Sequence, residues 1–177
     1  MPQIEPVTLD TAQPRAAETL NAVKAKLGMV PNLFSTLGHS PVALNGYVQL
    51  NETLTQGRLN AQEREIVALA VGQENACQYC LSAHSLMGRK AGLSDEQIQQ
   101  ARKGSGVDDL NAAVAGFAQL VVKSRGQLPA GSLQSFRRAG LDDELMLEII
   151  AHVALNVLTN YTNHIAETEV DFPAVNV

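Results

Sequence analysis

Residues 66–71 read Ile-Val-Ala-Leu-Ala-Val, six apolar side chains in a row with no polar interruption. The residues just before them decide what element carries the run. Asn60 followed by Glu63 has the form of a capping box, in which each side chain satisfies the other's free backbone N–H at a helix start. A helix that opens there is apolar on every side, so it has to be central and buried. The remaining elements must therefore be able to surround it.

They have the right pattern. From Thr11 to Leu27 apolar residues recur at Ala16, Leu20, Val23 and Leu27, with Pro14 near the first turn and Gly28 as a stop. Pro31 opens a short helix through Leu37, and Ser40 with Pro41 opens the next, to about Thr55. A cysteine-bearing helix is expected from Ala76 to about Lys90, and Ser94 with Gln97 forms a second capping box for a helix to about Lys103. Asp108 or Asp109 caps a helix to Ser124, a short one spans Leu133 to Arg138, and Asp142 caps a long final helix. No segment alternates β-branched residues between turns, as a strand would. The expected fold is all-α: one domain over residues 1–177, a bundle of about eight helices.

With 177 residues, 45% apolar and 18% charged, the chain is able to bury a core without staples. Its net charge of −5 argues against a nucleic-acid or anionic-membrane surface, both of which need clustered cations. No unbroken run of about 18 apolar residues predicts a membrane span. The first ten residues lack the basic and then apolar regions of a secretory leader, so a cytoplasmic protein is expected. In that reducing compartment close-spaced cysteines are more often redox-active or metal-binding than structural.

The chain has two cysteines, Cys77 and Cys80, in a Cys-x-x-Cys pair, and His84 follows four residues later. On a helix the three fall at i, i+3 and i+7, on one face. A thiol reacts as its thiolate, which a helix N-terminus or a neighbouring imidazolium stabilises. Cys77 in the first turn has the former and Cys80 has the latter; the spacing does not say which attacks first. A metal site would need further ligands, and no second Cys-x-x-Cys or His-x-x-x-His supplies them. Tyr79, between the cysteines, points away from Cys77 and is either a core residue or an accessory proton carrier.

Proton transfer to and from peroxide oxygen calls for a carboxylate in an apolar setting. Glu65 and Glu63 qualify by their apolar neighbours and Glu74 by its closeness to Cys77 in sequence, and periodicity does not choose among the three. On the last helix Asn156, Asn160 and Asn163 with His164 form a polar stripe at i, i+4 and i+7/8, with His152 one turn earlier. Buried polar groups need partners, so the stripe is expected to form an interhelical hydrogen-bond network, with Asn156, Asn160 and His164 as accessory candidates for the site.

The segment E-R-E-I-V-A-L-A-V followed by C-Q-Y-C-x-x-A-H resembles the core motif of the alkylhydroperoxidase D-like (AhpD-like) members of the carboxymuconolactone decarboxylase family. L-G-M-V-P-N-L near residue 30 and N-Y-T-N-H-I-A-E-T-E-V-D-F-P near the end resemble its peroxidase-related subgroup. The likeness spans about residues 25–173, with the core motif at 60–91.

The resemblance implies an AhpD-like helical fold assembled as a homo-oligomer (trimer or hexamer), and a thiol-dependent peroxidase without metal or organic cofactor. It places the peroxidatic role on Cys80, the resolving role on Cys77, the relay carboxylate on Glu65 and the motif histidine on His84. The implied partners are a hydroperoxide and an external dithiol or lipoamide-type reductant. Well-studied members carry a histidine where this chain has Tyr79, a poorer proton shuttle at neutral pH, which implies modest peroxidase efficiency. Two other readings use the same residues: a thiol–disulfide oxidoreductase or redox sensor with no peroxide step, and a non-catalytic helical assembly module.

Overall fold

The computed structural model describes residues 1–177 and contains nine helices and no strands. They are α1 (Pro14–Leu27), α2 (Asn32–Leu37), α3 (Pro41–Leu54), α4 (Ala61–Glu74), α5 (Gln78–Lys90), α6 (Asp95–Arg102), α7 (Asp109–Ser124), α8 (Leu133–Arg138) and α9 (Asp143–Ala166). The capping chemistry is realised. Both arms of the Asn60–Glu63 and Ser94–Gln97 boxes are made. The side chains of Ser40, Asp108 and Asp142 each accept the backbone N–H three residues on. Such caps satisfy donors that a helix cannot satisfy itself, for about 1 kcal/mol each.

The apolar run of α4 is buried throughout, and α4 packs against α5, α6, α7 and α9. Around it lies a large aliphatic core that includes Leu69, Leu81, Ile98, Val114, Phe117, Leu141 and Ile149. A smaller core lies on the other side of α5, where Ala16, Leu20, Leu33, Leu37 and Leu44 meet Cys77, Tyr79 and Cys80. α5 is therefore the wall between the two: Leu81 belongs to the first, and its neighbours Tyr79 and Cys80 to the second.

Both chain ends close over the smaller core. The N–H groups of Gln3 and Ile4 donate to the Ala166 carbonyl at the end of α9, at 2.7 and 3.3 Å. After α9, the Asp171 carboxylate accepts the Asn32 N–H at 2.7 Å, Phe172 packs edge-on against Tyr79, and the Val175 N–H reaches Ser82 Oγ at 3.1 Å.

α9 has the length and mean hydropathy of a bilayer-crossing helix, yet half of its most apolar window is buried within the fold. Its buried face carries His152, Asn156, Thr159, Asn160 and Asn163 among the aliphatic residues. The opposite face exposes Leu147, Ile150, Leu158, Tyr161 and Ile165. One face thus belongs to the core and the other is free of it.

Candidate active site

The site is built at the junction of α4 and α5. Only Asn75, Ala76 and Cys77 separate the two helices, and Ala76 takes the left-handed conformation (φ 53°) to make the turn. That residue cannot be the first of a helix, so α5 starts at Gln78 and Cys77 is its N-cap, not a first-turn residue as the sequence suggested. The Cys77 N–H still bonds back to the Gly72 carbonyl at 2.9 Å, which holds the cap in place. Cys77 Sγ accepts the Cys80 N–H at 3.3 Å, so this sulfur sits on the free amides of a helix start.

Cys77 and Cys80 are joined as a disulfide, with their Cα atoms 5.3 Å apart. Both are buried, at 0% and 3% exposure. The two sulfurs share one environment, in line with the i, i+3 reading.

The second sulfur has different neighbours. Asn160 Nδ2 donates to Cys80 Sγ at 3.0 Å and Asn163 Nδ2 at 3.3 Å, both from the buried face of α9. Asn75 Nδ2 donates to Asn160 Oδ1 at 2.9 Å, which occupies that carbonyl oxygen and leaves the NH₂ to face the sulfur. The Asn163 carbonyl oxygen is buried with no hydrogen-bond partner. The expected polar stripe does form a network, and two of its members converge on a cysteine. The other accessory candidates do not: Asn156 Nδ2 turns back to the His152 carbonyl at 2.8 Å, and His164 is exposed to solvent.

Of the three candidate carboxylates, Glu63 is engaged by its own helix cap. Glu65 Oε2 meets His84 Nδ1 at 2.8 Å, with side chains only 14% and 21% exposed. A carboxylate accepts, so the hydrogen of this bond is on Nδ1, and Nε2 keeps the free lone pair. His84 lies one helical turn after Cys80, the register in which side chains on a helix face one another. Tyr47 of α3 borders this pair. Burial, and then the Glu65 charge, push its phenol up to about 12.

Tyr79 turns away from the sulfurs. Its hydroxyl accepts the Leu33 N–H at 3.2 Å, and its ring lies 5.5 Å from that of Phe172. Burial first, with the Asp171 charge adding to it, pushes the phenol well above its ordinary range. Through these contacts Tyr79 anchors α2 and the C-terminal segment to α5. No group of three or more His, Cys, Asp or Glu side chains is placed to hold a metal ion.

This is a helical fold with a Cys-x-x-Cys pair one turn from a carboxylate–imidazole pair, and known proteins share the fold. Residues 41–123, from α3 through most of α7, match the model of the carboxymuconolactone decarboxylase family. The chain is similar to the AhpD-like proteins of that family over this segment and in its fold. Among curated proteins, an alkyl hydroperoxide reductase of Mycobacterium tuberculosis is 32% identical over 93 residues, 52% of this chain and 27% of that protein. The chain thus spans about a quarter of that relative's length.

Solved structures share the architecture over nearly the whole chain. An alkylhydroperoxidase AhpD core, an uncharacterized peroxidase-related protein from Ralstonia eutropha JMP134, superposes with a TM-score of 0.85 at 23% identity, covering 96% of this chain and 92% of that one. A peroxidase-related protein from Silicibacter sp. TM1040 has a TM-score of 0.79 at 22% identity over 94% and 92%. The debrominase Bmp8, solved with 2,3,4-tribromopyrrole, has a TM-score of 0.79 at 17% identity over 96% and 91%. At these identities the likeness establishes the fold.

Proposed function

We propose that the protein is a thiol-dependent peroxidase that reduces hydroperoxides at Cys80. The observation that carries this reading is the Glu65–His84 bond at 2.8 Å, one helical turn from a cysteine already paired with its neighbour. In the reduced protein His84 Nε2 takes the Cys80 thiol proton. The Cys80 thiolate attacks the terminal oxygen of the hydroperoxide; the S–O bond forms, the O–O bond breaks, and the departing alkoxide takes a proton from the imidazolium, leaving as the alcohol. Cys77 then attacks the sulfenic acid, forms the disulfide and releases water. An external dithiol returns both thiols by exchange and becomes a disulfide itself.

The burial of both sulfurs favours a small hydroperoxide over a folded protein disulfide as oxidant. It also favours a slender dithiol of the lipoamide type as reductant, in a cytoplasmic setting that supplies one. The kinship with an alkyl hydroperoxide reductase supports the same class of substrate. The test is peroxide consumption under excess dithiol. Cys80→Ser is expected to abolish it, and Cys77→Ser to leave a sulfenic acid that dimedone traps on Cys80. Equal activity in the two variants, or trapping on neither, overturns the assignment.

A further inference from the structure

Cys80 is almost wholly buried, at 3% exposure, and burial by itself keeps a thiol protonated and unreactive. Two features of the fold oppose that. One is its place in the first turn of α5. The other is specific: two carboxamide N–H groups are aimed at this one sulfur, from Asn160 at 3.0 Å and Asn163 at 3.3 Å. Cys77 Sγ has no counterpart from α9; it accepts the Cys80 amide instead. An N–H donor is a weak partner for a disulfide sulfur and a strong one for a thiolate, since bonds to charged acceptors are about twice as strong as neutral ones. The donors are also held in place, because Asn75 fixes the orientation of the Asn160 amide.

We propose that Asn160 and Asn163 are catalytic residues of this site, whose carboxamides hold the Cys80 sulfur as its anion and line it up for attack. The assignment rests on the thiol-peroxidase reading for its purpose, but not for its measurement. Both residues lie on α9, outside the segment 41–123 that matches the family model, so this half of the site is built by a helix remote in sequence from the cysteine motif. The titratable groups around Cys80 are Cys77 and His84 on α5, Glu65 of α4 bonded to His84, and Tyr47 of α3 beside Glu65. From α9 the sulfur meets only the two neutral amides.

The experiment uses the full chain carrying Cys77→Ser, so that Cys80 is the single thiol, because the sequence has two cysteines. The rate of alkylation by iodoacetamide is followed against pH in this parent and with Asn160→Ala, Asn163→Ala or Asn163→Asp added. The midpoint of the curve reports the thiol's titration; the plateau at high pH reports access. Each alanine is expected to raise the midpoint by roughly one pH unit and to slow alkylation at neutral pH about tenfold. Asn163→Asp is expected to raise it at least as far, since it puts a negative charge where a donor stood. A midpoint that stays with the parent in the Asn163 variants, whatever happens to their melting temperature, overturns the proposal. If Asn160→Ala fails to fold, because it also releases Asn75, the Asn163 pair still decides. Absence of peroxide turnover in the unsubstituted protein would remove the peroxidase reading, while a shifted midpoint would leave the two amides as the groups that hold the Cys80 thiolate.

Discussion

The two sides of α5 differ in kind. On one side α4, α6, α7 and α9 pack on one another around a core of aliphatic and aromatic residues. On the other, α1, α2, α3 and segments from both chain ends enclose a smaller core that includes the cysteine pair and Tyr79. Burial of apolar area stabilises the first in proportion to its size. Directional contacts add to apolar packing in the second: Asn32 to Asp171, Leu33 to Tyr79, Gln3 to Ala166. The comparison teaches where stability and chemistry divide. The Cys80 sulfur sits in the smaller core, and its two amide neighbours come from α9, which also lines the larger one.

That division is open to direct attack, and the largest effect is expected in the large core. Ile149 is fully buried on α9, and Ile149→Ala is expected to cost 2–5 kcal/mol in a urea titration, by roughly the range for deleting a buried aliphatic side chain. The same variant should leave the Cys80 alkylation midpoint unchanged at a concentration of urea where it is folded. A shift in that midpoint would mean that the two cores do not act separately.

Tyr79→Phe probes the smaller core. It removes the acceptor of the Leu33 N–H and is expected to cost about 1–2 kcal/mol, the penalty for an unsatisfied buried donor. Peroxide turnover should survive it. A loss of turnover beyond tenfold in the folded variant would restore Tyr79 to the proton path.

The smallest effect is expected at His152, buried on α9. Burial first, then the charge of Arg64, hold its imidazole below the ordinary value, against weaker opposing effects from Glu148 and Glu65. A ring that is neutral when folded gains a proton on unfolding as acid is added. Its contribution to stability is therefore complete above the usual histidine value, about pH 6.5, and is lost as pH falls from there through the folded value. His152→Gln is expected to flatten the decline in urea midpoint between pH 7.5 and pH 5. An unchanged slope would show that this ring titrates alike in both states.

Much of this was written locally. The helix starts at Asn60, Ser94 and Asp142 were legible because a cap and its N–H lie three residues apart, and so were the cysteine pair and the turn to His84. The three carboxylates could not be ranked from the same information. Glu63, two residues from Glu65, spends its oxygens on a cap, and only the packing of α4 on α5 brings Glu65 to the imidazole. Asn75 is the C-cap of α4, and it is also the residue that orients Asn160, a pairing that no local spacing announces. Tyr79 carried two readings from its place between the cysteines, and only the fold supplies its partners, Leu33 and Phe172.

By itself, then, the amino-acid order determined an all-helical chain, the boundaries of most of its helices, and a thiol pair with an imidazole in register. Those depend on interactions within one or two helical turns, which spacing encodes. The tertiary structure alone decided which acid meets His84 and which amides meet Cys80, because Asn160 and Asn163 stand 80 and 83 residues from the sulfur they touch. A periodic pattern says that a polar face must find a partner; only the path of the backbone says which.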